Sequence, residues 1–477
     1  MINLTVPNRV YGLGPEEQGM LEDLVNIFNY HQSKNAIKAK YYEGNIPLRD
    51  VNLGIALPDE LKKLEIGCAW GAKTVDVLAA RSMFDGFVGV EGAETSELDE
   101  IIQGNRLLSE YTKACRDELE FGCTFATLSA DKAVKCRIRF HPPSTAAARW
   151  NGQKGRIDCG FAIIDTVKDE SVANSGYWRP SLINLYTDKA IWTITIDNYR
   201  WTAAEYPHKM GRPLMEPLVW NATTNKPFGR SRLKGPIRRL IQSYVRTIAN
   251  ATIGLEFATS PQKYLLGVSN KQYDTLISQK FRQYVGSVLF STRDPNTGEK
   301  PDFGQLPQGN IEPHVQMMRI LATQFSAATG LTVTDTGVVN DANPTSSDAI
   351  LAQSQTLVAM AEELNAGNGE SLRTIAIMAL AIANKTTIEA LSDEQKGIVA
   401  HFKNPAMPSI AATSDAAIKI ASAREDFAST DVFLEMIGFD QADIRRIKAQ
   451  EQRARGLSLI GEIELEESEE LADETNS

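Results

Sequence analysis

The sequence predicts an α+β fold in which a β-rich stretch lies between helical segments. Apolar residues recur every three or four positions over 16–42 and 233–255, which is typical of amphipathic helices. From Trp150 to Trp220 the apolar period falls to two. From Glu312 onward the helical period returns. With 477 residues, 43% apolar and 23% charged, the chain is long enough for several domains and a large buried core.

The first third of the chain is predicted to be mostly helical. Gly44 and Pro47 end the first helix, because neither residue continues a helix well. The predicted helices are 16–42, 57–64, 70–81 and one uninterrupted helix over 97–122. The predicted strands are 84–92 with its turn, 121–128 and 134–140.

The middle of the chain combines a sheet with a basic helix. Alternating and β-branched residues predict antiparallel strands at 157–164, 182–186 and 191–196. Ser231 is a candidate N-cap for a helix that ends near Glu256. No acidic residue lies between Glu216 and Glu256, although the chain is acidic overall. The basic residues from Phe228 to Glu256 are Arg230, Arg232, Lys234, Arg238, Arg239 and Arg246.

The remaining chain is predicted to return to helices after a small mixed unit. Tyr264–Val268 and Val285–Phe290 read as strands around a helix at 270–283, and 400–410 is extended. Two separate helices are predicted at 347–363 and 371–391, divided by a glycine-containing segment. The other predicted helices are 312–329, 414–427, 430–437 and 441–455.

The net charge is concentrated at one end of the chain. Residues 461–477 hold eight acids and no base, so removing them changes the formal charge from −10 to −2. This tail is predicted to be disordered. A nearly neutral folded body argues against tight, salt-sensitive phosphate binding over a large surface, although loose contact with DNA stays open.

Cysteine usage and hydropathy indicate the compartment. The five cysteines include no CxxC pair, which disfavours a disulfide framework or a zinc site and fits a reducing compartment. The first residues have no apolar signal region, and no run of 18 apolar residues occurs. We therefore expect no membrane span and synthesis in the cytoplasm.

No motif for catalysis, metal binding or a cofactor is complete. In IGCAWGAKT at 66–74, three residues instead of four separate Gly67 from Gly71, and Ala72 precedes Lys73. No buried strand is predicted before it, so a helix start is the better interpretation than an ATP site. The histidines are scattered, and acidic pairs such as Asp99-Glu100 are best explained as solvated charges. We predict no catalytic residue, no metal and no cofactor.

The basic helix has two interpretations. A helix that enters a DNA groove would need Arg or Lys with Asn or Gln on one polar face of a compact domain. A packed helix whose polar face meets an acidic neighbour or another subunit needs a strong apolar stripe. The stripe here is as strong as the basic face, which favours the packed helix at roughly two to one.

Several ordered motifs resemble the portal proteins of tailed double-stranded DNA bacteriophages, in the branch common in phages of actinobacteria. Each is weak alone, but their order and spacing extend over about 400 residues. The motifs are YYEG at 41–44, Trp70 with TVDVLAARSMFDGF at 74–87, the G-x-P-L/V-x-P-L/V-x-x-N pattern at 211–221, GRSRL at 229–233, FATSPQKYLLG at 257–267 and NPAMPSIAATSDAAIKIASA at 404–423.

The resemblance implies a non-enzymatic homo-oligomeric ring, usually a dodecamer, at one capsid vertex of the virion. Double-stranded DNA enters and leaves through its channel without sequence recognition. The implied partners are terminase, the major capsid protein and head-tail connector or adaptor proteins, with no membrane. Two other function classes stay open: another virion subunit such as a capsid or tail-hub protein, and an enzyme of nucleic-acid metabolism whose activity would depend on Lys73 or an acidic pair.

The resemblance also implies a multidomain portal-type subunit with wing, stem, clip and crown. The implied division is wing 1–230, first stem helix 231–256, clip 257–311, second stem helix 312–331, tunnel loop 332–346, helix behind the loop and wing return 347–410, crown 411–460 and disordered acidic tail 461–477.

Two sets of residues are expected to act in the channel. The tunnel loop has no Lys or Arg, and its expected tip is Asn340, Asp341, Asn343 and Pro344. The basic face of the first stem helix is Arg238, Arg239 and Arg246, which either pair with acids across subunit contacts or face DNA.

Overall fold

The computed structural model forms two compact units. Unit 1 comprises Met1–Asn35, Asp76–Ser231 and Leu351–Ser477, and unit 2 comprises Ala36–Val75 and Arg232–Ile350. Within them the structure describes residues 4–7, 9–47, 65–89, 96–168, 178–197, 200–259, 263–266, 298, 302–305, 310–337, 347–406, 410–439 and 443–454.

The described residues contain helices and antiparallel strands throughout. The helices are α1 (Pro15–Glu43), α2 (Trp70–Ala79), α3 (Ser96–Asn105), α4 (Leu107–Phe121), α5 (Gly235–Thr259), α6 (Glu312–Thr329), α7 (Ser347–Ala383), α8 (Asp393–Lys396), α9 (Ile410–Ala423), α10 (Asp431–Ile437) and α11 (443–454). The strands are β1 (Asn45–Pro47), β2 (Glu65–Gly67), β3 (Phe84–Gly89), β4 (Cys123–Asp131), β5 (Lys135–His141), β6 (Ala146–Asn151), β7 (Arg156–Lys168), β8 (Trp178–Tyr186), β9 (Ala190–Asp197), β10 (Arg200–Pro207), β11 (Met215–Val219), β12 (Lys263–Leu266), β13 (Asp302–Gln305) and β14 (Ile398–Phe402).

Unit 1 is built around a five-stranded antiparallel sheet in the order β10-β9-β8-β7-β6. The sheet covers the predicted β-rich stretch and confirms its antiparallel pairing. One sheet face buries Phe161, Ile183 and Trp192 against Phe28 of α1, and the Phe28 and Phe161 rings meet edge to face at 5.5 Å. This apolar contact forms the core of the unit.

Two smaller sheets complete the β structure of unit 1. One has the order β11-β4-β5, and the other pairs β14 with β3. Strand β14 begins two residues before the segment predicted to be extended and overlaps it at 400–402, and β3 lies within its predicted strand and turn. In the register of the second pair, Val399 lies opposite Val88 and both side chains are exposed, whereas Ala400 lies opposite Phe87 and both are buried.

The prediction of one uninterrupted helix over 97–122 is wrong, because Arg106 adopts a left-handed conformation with φ 51°. The preceding Asn105 explains the break. Its side-chain amide donates to the carbonyls of Ile101 and Cys136, and its oxygen accepts from the Ile138 amide, which ties this point of the chain to β5. Helix α4 then ends at Gly122, as predicted, with φ 107°.

The prediction of two separate helices over 347–391 is also wrong. Helix α7 is continuous for 37 residues and ends at Ala383. Leu364 and Leu372, on either side of the glycine-containing segment, are both buried. Burial of this apolar face outweighs the low helix propensity between them.

The C-terminal part follows the predicted helices with shifted ends. Helix α9 begins at Ile410 instead of 414, and a 3-10 turn at Glu425–Ser429 precedes α10. The predicted helices at 57–64 and 270–283, the predicted strand at 285–290 and the acidic tail at 461–477 lie outside the described residues.

Unit 2 contains the basic helix α5, the helix α6 and the short strand pair β12–β13. Helix α6 has the predicted bounds, with Pro313 in its first turn and Gly330 at φ 73° after its last residue. Helix α5 begins at Gly235 instead of Ser231, which places Pro236 in the first turn, where proline is tolerated. Within the described chain, no helix is long and apolar enough to cross a membrane.

Candidate functional site

The helices α5 and α6 are joined by a tryptophan from the start of α2. The ring of Trp70 stacks on Tyr244 of α5 with a centroid distance of 3.9 Å and on Phe325 of α6 with 4.5 Å. The indole N–H of Trp70 donates to the Thr336 carbonyl at 3.1 Å. Trp70 therefore fixes both helices and the 3-10 turn at Thr334–Thr336 with one buried side chain.

The YYEG motif lies against the same elements. The Gln242 amide of α5 donates to the Tyr41 hydroxyl, and the Arg238 guanidinium lies over the Tyr41 ring at 5.7 Å from its centroid. A Cβ atom on Gly71 would lie 1.8 Å from the Tyr41 carbonyl oxygen. Gly71 is thus required for the close approach of α2 to α1, which explains a glycine of the incomplete phosphate-binding pattern by packing.

The structure corrects one premise about that pattern. A short strand, β2, does precede α2, and its central residue Ile66 is buried. Strand β2 pairs with β1, and the Cys68 amide donates to the Gly44 carbonyl at 3.2 Å. Lys73 is exposed on the first turn of α2. The segment is a strand-to-helix connection packed against the end of α1.

Arg232 of the GRSRL motif is almost fully buried in unit 2. Its Nε donates to the Thr74 carbonyl at 2.6 Å, and a terminal nitrogen donates to the Thr329 carbonyl at 2.7 Å. The Thr329 carbonyl belongs to the last turn of α6, where carbonyls lack helical donors. Burial lowers the pKa of Arg232 to about 10, so the guanidinium stays charged at neutral pH. Arg232 therefore acts as a cap for α6.

The neighbouring Ser231 has a different role from the predicted N-cap. Its hydroxyl donates to the Glu120 carbonyl near the end of α4, within unit 1. Gly229, with φ 63°, has no room for a side chain, because a Cβ atom would lie 2.1 Å from the Trp220 carbonyl oxygen. The first residues of GRSRL thus cap and cover α4, and the helix begins four residues later than predicted.

The three predicted basic-face residues occupy two environments. Arg238 is half-buried over Tyr41, whereas Arg239 and Arg246 are exposed. The two exposed arginines are seven residues apart, so they lie on the same face of α5. On α6, Met317 and Ile320 are exposed large apolar side chains. The pair of helices therefore presents both basic and apolar surface to its surroundings.

The predicted tip of the tunnel loop, Asn340, Asp341, Asn343 and Pro344, lies outside the described residues. The structure does describe the preceding turn, where the Thr332 hydroxyl donates to the Asp335 carboxylate at 2.8 Å.

The described residues include no metal-binding cluster, and their cysteines are buried. No cluster of three or more His, Cys, Asp or Glu side chains among them is arranged to hold a metal. All five cysteines are buried thiols, and burial raises the pKa of Cys68 to about 11 and that of Cys136 to about 12. Such thiols are poor nucleophiles.

Sequence reasoning found the motifs but not the contacts between them. Trp70, YYEG and GRSRL are separate motifs in the sequence, and the structure shows that Trp70, Tyr41 and Arg232 all contact the α5–α6 pair or its ends.

Comparison with known proteins gives one family and several solved structures. The family model described as "Phage portal protein, SPP1 Gp6-like" matches residues 20–456. No curated protein matches the chain. Similar solved structures include the virion of the native gene transfer agent (GTA) particle and the neck of the empty GTA particle computed with C6 symmetry. For each of these, identity is 12%, the TM-score is 0.44, and the match covers 74% of this chain and 86% of the other.

A third structure is the neck of the native GTA particle computed with C12 symmetry. Its identity is also 12% and its TM-score 0.44, and the match covers 78% of this chain and 89% of the other.

Proposed function

The chain belongs to the SPP1 Gp6-like family of phage portal proteins, and on that premise we propose that it forms the ring through which double-stranded DNA enters and leaves the capsid at one vertex. The observation that carries the proposal is the family match, which extends from residue 20 to residue 456. The near-neutral charge of the chain without its acidic segment supports it, because each phosphate that a channel neutralises would add binding affinity and slow the movement of DNA.

The α5–α6 pair is the proposed stem. Helix α5 would be the first stem helix, from Gly235, and α6 the second. The strands β12 and β13 lie between α5 and α6 in sequence and pair with each other. They would belong to the clip. Trp70 and Arg232 would keep the two stem helices in register within one subunit. The wing would comprise the sheets and the helices before α5, and the crown α9 to α11.

The exposed basic face of α5 has two proposed neighbours. Arg239 and Arg246 lie on one helix face, where they would meet either an acidic surface of the next subunit or the DNA. The tunnel-loop tip at Asn340, Asp341, Asn343 and Pro344 would touch DNA sterically, because it carries no base and one acid.

The proposed partners follow from the ring. A dodecamer would occupy the capsid vertex next to the major capsid protein. Terminase would dock during packaging, and head-tail connector or adaptor proteins would replace it. In this proposal the subunit itself performs no chemistry and needs no cofactor.

The decisive experiment is labelling of the particle. An antibody to the acidic segment 461–477, or a tag fused to it, should mark one vertex of each capsid in electron micrographs. Label over the whole shell or along the tail would assign the chain to another virion component. Absence of label from purified particles would show that the chain is not a component of the virion and would contradict the proposal.

The mass of the purified protein is a second test. Twelve chains of 52.5 kDa give about 630 kDa, which light scattering distinguishes from a monomer. Negative-stain images of that species should show a ring with a central channel. A large species without a channel would contradict the proposal.

Serine substitution at Arg239 and Arg246 distinguishes the two proposals for the basic face, contact with the next subunit or contact with DNA. If these arginines meet the next subunit, R239S/R246S should lower the ring fraction at fixed concentration. If they face DNA, ring assembly should be unchanged and DNA retention should become less salt-dependent. Lys209→Ser, an exposed base in the proposed wing, is the matched control.

A further inference from the structure

The middle of α7 is a weak point that the structure nevertheless keeps helical. Residues 365–369 read NAGNG, and glycine and asparagine are among the poorest helix-forming residues. A Cβ atom on Gly367 would meet nothing within 4 Å, so close packing does not require glycine at this position. Asn368, between the two glycines, is fully buried. Contacts of this side chain therefore hold the segment in place.

Those contacts all lead to α4. The Asn368 side-chain amide donates to the Tyr111 hydroxyl at 3.0 Å and to Oε2 of Glu118 at 2.8 Å. The Tyr111 hydroxyl is in turn 2.7 Å from the Ser82 hydroxyl. Tyr111 and Glu118 lie seven residues apart on one face of α4, which spaces them to bracket Asn368.

The protonation state of Glu118 decides how much it costs to keep this contact buried. The carboxyl group is completely buried, and within the described residues the Asn368 amide is the donor that reaches it. Oε1 of Glu118 and Oδ1 of Asn368 are both buried without a hydrogen-bond partner. A protonated carboxyl gains a donor that the ionised form lacks, and it avoids the cost of a buried charge without a counter-ion. Burial raises the pKa of Glu118 to about 8 and outweighs the Asn368 hydrogen bond, which by itself lowers that pKa.

We propose that Glu118 and Asn368 form a proton-dependent latch, which holds the NAGNG segment of α7 against α4 while Glu118 is protonated and releases it when Glu118 ionises. Once α7 moves away at this point, water can solvate the carboxylate. The released segment has little helix propensity of its own, so it is the place where α7 opens. This device is independent of the proposed channel and of the oligomeric state.

Apart from Asp117, the groups around the latch differ from Glu118 in their titration. On α4, burial raises the pKa values of Tyr111 and Cys115 further above neutrality. The Arg116 guanidinium pairs with Asp76 at 3.4 Å. The groups contributed by the other elements, which carry no titratable proton in this range, are Asn368 from α7, the Ser82 hydroxyl, and the Phe84 and Phe402 rings that pack on Tyr111.

One neighbour needs a control of its own. Burial raises the pKa of Asp117 to about 6, so this residue also titrates between the pH values of interest. Asp117→Asn removes that titration and leaves the latch in place.

The test is hydrogen–deuterium exchange of the full chain, read in peptides that cover residues 363–372. After correction for intrinsic exchange, protection of this segment should fall by up to about tenfold per unit between pH 5.5 and pH 7.5, because opening then releases one proton. Glu118→Gln keeps the shape and cannot ionise, so its protection should be independent of pH. The D117N protein and Glu110→Gln, an exposed change on the same helix, should behave as the unaltered protein does.

Two results would overturn the proposal: protection in the unaltered protein that does not change with pH, or a pH dependence that persists in the E118Q protein. If E118Q does not fold, infrared spectroscopy of the unaltered chain replaces it. A protonated-carboxyl band that persists at pH 7 and disappears together with the protection supports the latch, and absence of this band at pH 7 refutes it. The Asn368→Ala protein should show low protection of the segment at every pH; normal protection would also refute the latch.

Discussion

The helices α5 and α6 are held together by stacked aromatic rings, whereas the middle of α7 is held to α4 by uncharged polar groups. Trp70 between Tyr244 and Phe325 gains its energy from apolar burial, which does not depend on pH. Asn368 between Tyr111 and Glu118 donates both hydrogen bonds from its side-chain amide, and one acceptor, the buried Glu118 carboxyl, is uncharged only while it is protonated. One protein thus contains a permanent helix junction and a conditional one.

The largest expected effect is at the permanent junction. Trp70→Ala removes a buried ring that contacts two helices, and truncation of such a ring costs about 3–5 kcal/mol of unfolding free energy. Denaturant titration followed by circular dichroism would measure the loss. Trp178→Ala, at a half-exposed position on β8, is the matched control. A loss below about 1 kcal/mol in W70A would mean that the stack is not what holds the helices.

The next effect concerns the cap of α6. Arg232→Met keeps most of the side-chain volume but removes the donors to the Thr74 and Thr329 carbonyls. Leaving a buried carbonyl unpaired costs about 1–3 kcal/mol, and relief of the buried charge offsets part of that, so we expect a net loss of about 2 kcal/mol. Arg239→Met, at an exposed position, should change stability by less than about 0.5 kcal/mol. Equal stabilities of the two variants would refute the capping role.

The conditional junction should show in the pH dependence of stability. The pKa of Glu118 is about 8 in the folded chain and ordinarily 4.5, so its contribution is complete below pH 4.5 and is lost towards pH 8. The expected loss is about 1.4 kcal/mol per pH unit. Glu118→Gln should abolish this decline, as chemical denaturation at a series of pH values would show.

A buried histidine opposes that slope at lower pH. Burial lowers the pKa of His141 to about 4 from 6.5, so its contribution is lost as pH falls from 6.5 to 4. Burial also raises the pKa of Asp117 to about 6 and that of Glu216 to about 7, and these contributions are common to both proteins. The contribution of Glu118 is therefore the difference between the two curves, in which the unaltered protein should lose stability relative to E118Q between pH 4.5 and pH 8. Parallel curves for the two proteins would contradict the assignment.

The smallest expected effect is a gain in stability. Gly367→Ala adds a methyl group that meets nothing within 4 Å, and it removes a residue of poor helix propensity, so α7 should be stabilised by about 1 kcal/mol. Thermal unfolding would measure it. The same change at Gly71 should destabilise, because its Cβ would lie 1.8 Å from the Tyr41 carbonyl oxygen. Destabilisation by G367A would mean that the flexibility of this segment is needed for folding.

The sequence predicted those elements whose ends are marked by local residues. Helix α6 has the predicted bounds because Pro313 and Gly330 mark its ends. The period-two stretch predicted the antiparallel sheet correctly. The break at Arg106 was missed, because an arginine in a left-handed conformation gives no compositional signal; long-range bonds of Asn105 impose it.

The contacts that define the candidate site could not be predicted, because they join residues far apart in the chain. The Trp70 indole bonds to Thr336, and Arg232 bonds to Thr74, each over more than 150 positions. The same reason explains the error at 363–371. Glycines there predicted a break, but a carboxyl group on a distant helix holds Asn368 in place. Local propensity decides an element only where tertiary contacts do not.

The buried cysteines have a practical consequence. All five thiols lie inside the fold, and burial raises the pKa of Cys68, Cys136 and Cys159, which keeps these three protonated at neutral pH. Thiol-directed reagents should therefore react little with the folded native chain, and its own cysteines need not be replaced before site-directed labelling. A single cysteine introduced at the exposed Ser243, one turn from Arg239 and from Arg246, would carry a fluorophore or spin label on the basic face of α5. Distances between such labels in neighbouring subunits would then report the arrangement of copies around an axis.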